Sequence, residues 1–248
     1  TVTAPVSPIV SGFAPVANVS QTWTPTLRML DDSCLLLVDL GHGRQRLGGS
    51  ALAQVFREVG TEAPDVEEPE VLRAFFSAMN IMKQMHAGMP HSAPLVHAYH
   101  DRSDGGLLAT VLEMSFAGRL GLDMDITGIL HDTPMAALFN EELGAVLQVR
   151  VKDVSAVTSV LTSMGVPSNI IHTVASVRGD EQINIKCRGE TLLSSTRAAL
   201  QKAWADTSFR MQSLRDNPEC AKQELAFIDE PAETASLKYE LTFHPAET

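Results

Sequence analysis

From residue 34 onward, hydrophobic and polar positions fall into alternating strand-length and helix-length patterns. Cys34–Leu40 is a continuous apolar run with one late Asp, bounded by Asp31-Asp32-Ser33 and Gly41, and it predicts a strand. Gly48-Gly49-Ser50 then opens a predicted helix over 51–59, with Leu52, Val55, Phe56 and Val59 at helical spacing. A proline- and acid-rich loop (Ala63–Pro69) separates it from a second predicted helix, Glu70 to about Met85. The apolar stripe of that helix is Leu72, Phe75, Phe76, Met79 and Met82.

After a loop at 86–94 comes a predicted strand, Leu95–Tyr99, then a polar turn and a helix to Phe116. Leu107, Leu108, Val111, Leu112, Ser115 and Phe116 form its expected buried face, with Thr110 and Glu113 opposite and Gly118 and Gly121 as stops. Leu122–Ile126 reads as a strand, Pro134–Phe139 as a helix and Ala145–Val151 as a strand. Asp153 is placed to cap a helix over 154–164, which Gly165 and Pro167 end. Strands are expected at Ile170–Val177, Ile183–Cys187 and Thr191–Leu193. Ser195 then starts a long helix with Leu200, Trp204, Thr207, Met211 and Leu214 on one side.

The two ends read differently. The first thirty residues are Pro-, Ser- and Val-rich, with extended pieces such as 8–14 that look for a sheet partner upstream. Past Cys220, Glu, Ala, Pro and Thr suggest a linker, and Leu237–Phe243 alternates briefly. Helices alternating with strands over 34–195 predict an α/β (α+β) fold, a mixed sheet packed with helices.

Composition narrows the function classes. The 248 residues carry a net charge of −11, which argues against a nucleic-acid or acidic-membrane surface. The three cysteines, Cys34, Cys187 and Cys220, lack metal-binding spacing and read as reduced thiols. No apolar run approaches membrane-spanning length, no secretory signal is visible, and a first residue of Thr suggests an excised fragment.

His100-Asp101-Arg102-Ser103-Asp104-Gly105-Gly106 holds the candidate chemistry. On one reading it is structural: Ser103 or Asp104 caps the helix, and the glycines allow close strand–helix approach. On the other, Asp101 offers a hard oxygen ligand to Mg²⁺, Ser103 donates to a phosphate or base edge, and helix N–H groups face a phosphate. His100 is either a proton-transfer group or a packed histidine, and Arg102 either screens phosphate or is solvated. A second candidate is 41–50, where Arg44, Arg46 and the Gly-Gly-Ser helix start face an anion or form a mobile loop. Phe139-Asn140-Glu141-Glu142 either turns one of its adjacent carboxylates into a cleft or reads as a solvated turn. Rossmann and P-loop glycine patterns are absent.

His100–Gly106 followed by LLATVLEMSFAG resembles the large single-chain form of the phosphoribosylformylglycinamidine synthase family, as do LFNEELGAVLQVRV, RLGGSALAQVF and MQSLRDNPECAKQE. The resemblance runs from about Thr3 to Gln223. It implies part of a cytoplasmic, purine-biosynthetic ligase that uses ATP and glutamine to convert formylglycinamide ribonucleotide to its amidine. It also implies the fold of the aminoimidazole ribonucleotide synthetase C-terminal domain. On this pattern, 1–30 ends an N-terminal-like synthetase subdomain, 31–195 is the C-terminal-like domain, and 196–248 leads toward a glutaminase domain. Asp101 matches the family's magnesium ligand and Ser103 a position assigned to ATP (or ADP). The implied partners are the nucleotide, the ribonucleotide, and the remaining synthetase and glutaminase domains. Because magnesium needs several oxygen ligands, this segment alone is expected to be catalytically silent. A small stand-alone ATP-dependent ligase and a non-catalytic interaction domain are the rival readings.

Overall fold

A computed structural model describes residues 10–16, 18–19, 22–88, 93–231, 234–235, 240 and 242. Its centre is a seven-stranded sheet, made of β1 (Ser33–Asp39), β2 (Ala98–Asp101), β3 (Gly121–Asp125), β4 (Gly144–Arg150), β5 (Ile171–Arg178), β6 (Gln182–Cys187) and β7 (Glu190–Thr196). The spatial order is β2-β4-β1-β5-β3-β6-β7, and only the β3–β6 pair is parallel. The expected mixed α/β sheet is therefore present.

Helices cover both faces. α2 (Pro69–Gly88) and α5 (Val154–Ser163) lie on one, packing Phe75, Met79, Met82, Val157 and Leu161 against Cys34, Leu36, Val38 and Leu147. α3 (Gly106–Gly118), α4 (Pro134–Phe139) and α6 (Arg197–Arg215) lie on the other, where Leu107, Val111 and Met114 meet Leu35, Leu37, Val146 and Leu122. Successive residues of β1 thus enter two different cores. This is why its sequence is continuously apolar rather than alternating.

β5 and β6 are joined by only three residues yet flank β3. The connection passes over the start of β3, where a Cβ on Gly121 would lie 2.2 Å from the Gln182 carbonyl oxygen. Only glycine tolerates that crossing.

Several local expectations need correction. The helix over 51–59 stops at Val55, giving α1 (Ala51–Val55). Arg57 and Gly60 take left-handed backbone conformations and turn the chain back, so that Gly49 N–H donates to Val59 O and Gly48 N–H to Glu62 O. Val55, Phe56 and Val59 are consequently exposed. Thr110 is buried, because α3 is sandwiched between the sheet and its neighbouring helices; its hydroxyl donates to Gly106 O and Asp101 O. Asp153 ends a short 3-10 turn in helical conformation and makes no side-chain cap bond to α5.

The long helix starts at Arg197, capped by Thr196 rather than Ser195, and Trp204, Met211 and Leu214 on it are exposed. Where a linker was expected, α7 (Pro218–Ala226) forms. Asn217 accepts from Glu219 and Cys220 N–H groups, and Pro218 stands at the first helical position. Arg119 and Arg197 both donate to Ile228 O, fastening the segment after α7 to the domain. In the first thirty residues the described part contains no strand, although Thr24 O accepts from Tyr99 N–H at the β2 edge. Residues 8–9 and most of 237–243 lie outside the described residues.

Candidate functional site

β1 ends at Asp39, β2 ends at Asp101 and β4 begins at Gly144, so antiparallel pairing brings three loops to one end of the sheet. These are the three segments singled out separately in the sequence: 41–50, 100–106 and 139–142. A set of charged groups holds them together.

Asp39 and Arg102 form the deepest of these ties, an ion pair of 2.6 Å with both residues buried. The Asp39 carboxylate also accepts from the Gly41 and Gly43 N–H groups, at 3.2 and 2.7 Å. Arg102 also donates to the carbonyls of Glu142 and Leu143, at 2.6 and 2.8 Å. It is neither solvated nor available to a phosphate. It braces the turn instead.

Phe139–Glu142 is not a solvated turn. Glu142 is wholly buried and accepts from Arg46 Nε and Nη2, at 2.7 and 2.9 Å, and from the Arg46 N–H. This pairing, with Glu67, holds the Arg46 pKa above its ordinary value. Glu141 accepts from two helix starts at once, Ala51 N–H and Gly105 N–H, both at 2.8 Å. An internal carboxylate thus takes the place of a cap side chain at α3. Gly105 itself is the cap residue, with φ +81°, and neither Ser103 nor Asp104 caps the helix.

Against this locked background three polar groups of the turn face outward. The Asp101 carboxylate, at the last residue of β2, is 68% exposed and lies 3.8 Å from His100 Nδ1. Ser103 and Asp104 are also exposed. His100 is held between Asp101 O, at 2.8 Å, and Glu113 Oε2, at 3.0 Å, which fixes its ring. Gly106, with φ +69°, sits so close to the α4–β4 loop that a Cβ would lie 2.6 Å from Asn140 O. The turn is therefore rigid, and it carries Asp101 and Ser103 two residues apart on its outer side.

The 41–50 loop lines a separate cleft of about 480 Å³ with Gly60–Glu62, His131 and Asp132; Asp101 and Ser103 are not on its wall. Arg44 and Arg46 both reach Glu67 there, at 3.1 and 2.7 Å, so their charge is already balanced. Among the described residues no three His, Cys, Asp or Glu side chains gather into a metal-binding group. Asp101 keeps an exposed carboxylate outside any such group. The roles of Asp39, Glu141 and Glu142 escaped the sequence reading. The one available signal was the lone Asp at the end of the Cys34–Leu40 run.

Residues 32–183 match the family model described as AIR synthase related protein, C-terminal domain. The chain is 41% identical over 249 residues to phosphoribosylformylglycinamidine synthase of Schizosaccharomyces pombe, covering 98% of this chain and 18% of that protein. The chain thus spans less than a fifth of the length of this relative. Among solved structures it resembles Thermotoga maritima PurL complexed with ATP, with a TM-score of 0.54 and 13% identity, over 73% of this chain and 27% of that one. The same protein complexed with FGAR gives a TM-score of 0.53 and 14% identity, over 73% and 30%. At such identities the structures share the fold.

Proposed function

We propose that this chain, which belongs to the family of AIR synthase related C-terminal domains, is part of a formylglycinamidine-forming ligase and contributes to its magnesium–nucleotide site. The observation that carries this reading is the contrast within the turn. Arg102, Glu141 and Glu142 are committed to internal pairs, whereas the Asp101 carboxylate and the Ser103 hydroxyl are left outward on a rigid support. The 41% identity to the Schizosaccharomyces pombe synthase supports the reaction class, and the complexes of the Thermotoga maritima protein with ATP and ADP support a nucleotide as ligand.

On this reading Asp101 would hold Mg²⁺ through one carboxylate oxygen, and the ion would neutralise phosphate charge on ATP or ADP. Ser103 donates its hydroxyl to the nucleotide. Arg102 positions both neighbours by fixing the turn to Asp39 and to the start of β4. The formylglycinamide ribonucleotide, the other synthetase domains and a glutaminase domain complete the enzyme, with residues from 196 on leading toward the glutaminase. Cytoplasmic purine synthesis is the setting this implies. Among the described residues no helix is long and apolar enough to cross a membrane.

The test is Asp101→Asn and Ser103→Ala in the full-length protein, with nucleotide binding titrated against Mg²⁺. We expect Asp101→Asn to weaken magnesium-supported nucleotide binding by about tenfold or more, with binding in EDTA unchanged. Unchanged magnesium dependence in both variants overturns the assignment. The 248-residue chain alone is expected to show no ATP turnover, and steady turnover would identify it as a complete enzyme.

A further inference from the structure

We propose that the opposite end of the sheet carries an oxyanion site, formed by Arg28, His97 and Arg150 and suited to a phosphate-class dianion. β4 begins at Gly144, beside Arg102, and ends at Arg150 six residues later, about 20 Å from the turn. His97 immediately precedes β2, and its N–H donates to Gln148 O on β4. Arg28 is bound to the same residue: its N–H donates to Gln148 Oε1, and its carbonyl accepts from Gln148 Nε2. One buried glutamine therefore ties the segments that carry Arg28 and His97 to β4, two residues before Arg150.

Two of those side chains have unmet hydrogen-bonding capacity. His97 is 8% exposed, and its Nε2 is buried without a partner; Arg150 Nε is likewise buried and unpartnered. This sets Arg150 apart. The other buried or half-buried arginines are satisfied, Arg46, Arg102, Arg178 and Arg197 by carboxylates and Arg119 by carbonyls. Among the described residues neither Arg28 nor Arg150 has a carboxylate within ion-pair distance. An unpaired buried donor is costly, and a donor set of one sign is stabilised by an anion. Burial, then Arg150 and Arg28, depress the His97 pKa, while Asp153 at the start of α5 opposes them. These are the charged groups that act on this imidazole.

The probes are inorganic sulfate and inorganic phosphate, compared with chloride at matched ionic strength, and binding to the 248-residue chain is followed by calorimetry and thermal unfolding. We expect saturable binding of both dianions, weakened about tenfold or more in Arg150→Gln and about threefold in the exposed Arg28→Gln. Asp101→Asn leaves it unchanged, which separates this site from the proposed nucleotide site. Sulfate stays doubly charged between pH 7.5 and 5.5, so tightening of its affinity on acidification reads out His97. That tightening is lost in His97→Gln. Should Arg150→Gln fail to fold, the Arg28 and His97 variants carry the test. Binding that is absent, or that is insensitive to Arg28 and His97, overturns the proposal, as does binding abolished by Asp101→Asn alone.

Discussion

Replacing Arg102 by Gln tests whether the turn is held by the buried pair with Asp39. At the 2.6 Å separation of Arg102 Nη2 and Asp39 Oδ1, two unit charges attract by about 6 kcal/mol at an effective dielectric constant of about 20. Most of that attraction offsets the desolvation of both ions, so the net value of the pair is small. Removing the guanidinium alone leaves Asp39 desolvated and deprives the Glu142 and Leu143 carbonyls of their donor. The expected loss is about 3–5 kcal/mol, toward the lower end because Gly41 and Gly43 N–H groups still hold the carboxylate. For a chain of this size it corresponds to a fall in Tm of roughly 6–20 °C. Urea unfolding of wild type, Arg102→Gln, Asp39→Asn and the double variant gives the measurement. In the Arg102→Gln background, Asp39→Asn should recover about 1–3 kcal/mol, since the orphaned charge is then gone. A single-variant loss below about 1 kcal/mol, or additive losses, would refute the bracing role.

Other outcomes follow from the same structure. Gly106→Ala forces a side chain into a left-handed position facing Asn140 O and should cost about 1–3 kcal/mol in urea unfolding. Burial pushes the Cys34 thiol up to about 11 and Cys187 is also buried, so a thiol reagent at pH 8 should label Cys220 rapidly and the other two only after unfolding. His97 and His172 both have pKa values lowered by burial, so the unfolded chain binds more protons on acidification. Stability is therefore full above about pH 6.5 and falls below it, and His172→Gln should flatten that slope in pH-dependent unfolding. A slope unaffected by both His97→Gln and His172→Gln would contradict the assignment.

Much of the fold was legible because it rests on apolar runs. Cys34–Leu40, Leu107–Phe116 and Pro134–Phe139 each mark an element by hydrophobic continuity or spacing, and the structure places the ends of each within two residues. The errors lie where long-range contact overrides local pattern. Val55, Phe56 and Val59 have helical spacing, yet hydrogen bonds from Gly48 and Gly49 close the chain into a loop. Thr110 looks polar-facing, yet it is buried with its hydroxyl turned to Gly106 O and Asp101 O. The Asn-Pro-Glu start of α7 was a local signal, obscured by the composition around it. For the candidate site, the sequence located the three loops, but not that they meet. Glu142 pairs with a residue 96 positions away and Arg102 with one 63 away, separations that no spacing rule spans.

Glu141 joins two pieces of architecture that are otherwise separate. Because a single carboxylate anchors the first turn of α1 and the first turn of α3, these segments cannot be displaced independently without stranding one set of amides. Any closure that drags the RLGGS stretch inward must carry the Asp101–Ser103 corner with it, or else sever that shared tether. The two loops are thereby moored to one side chain, and a change at Glu141 reaches both.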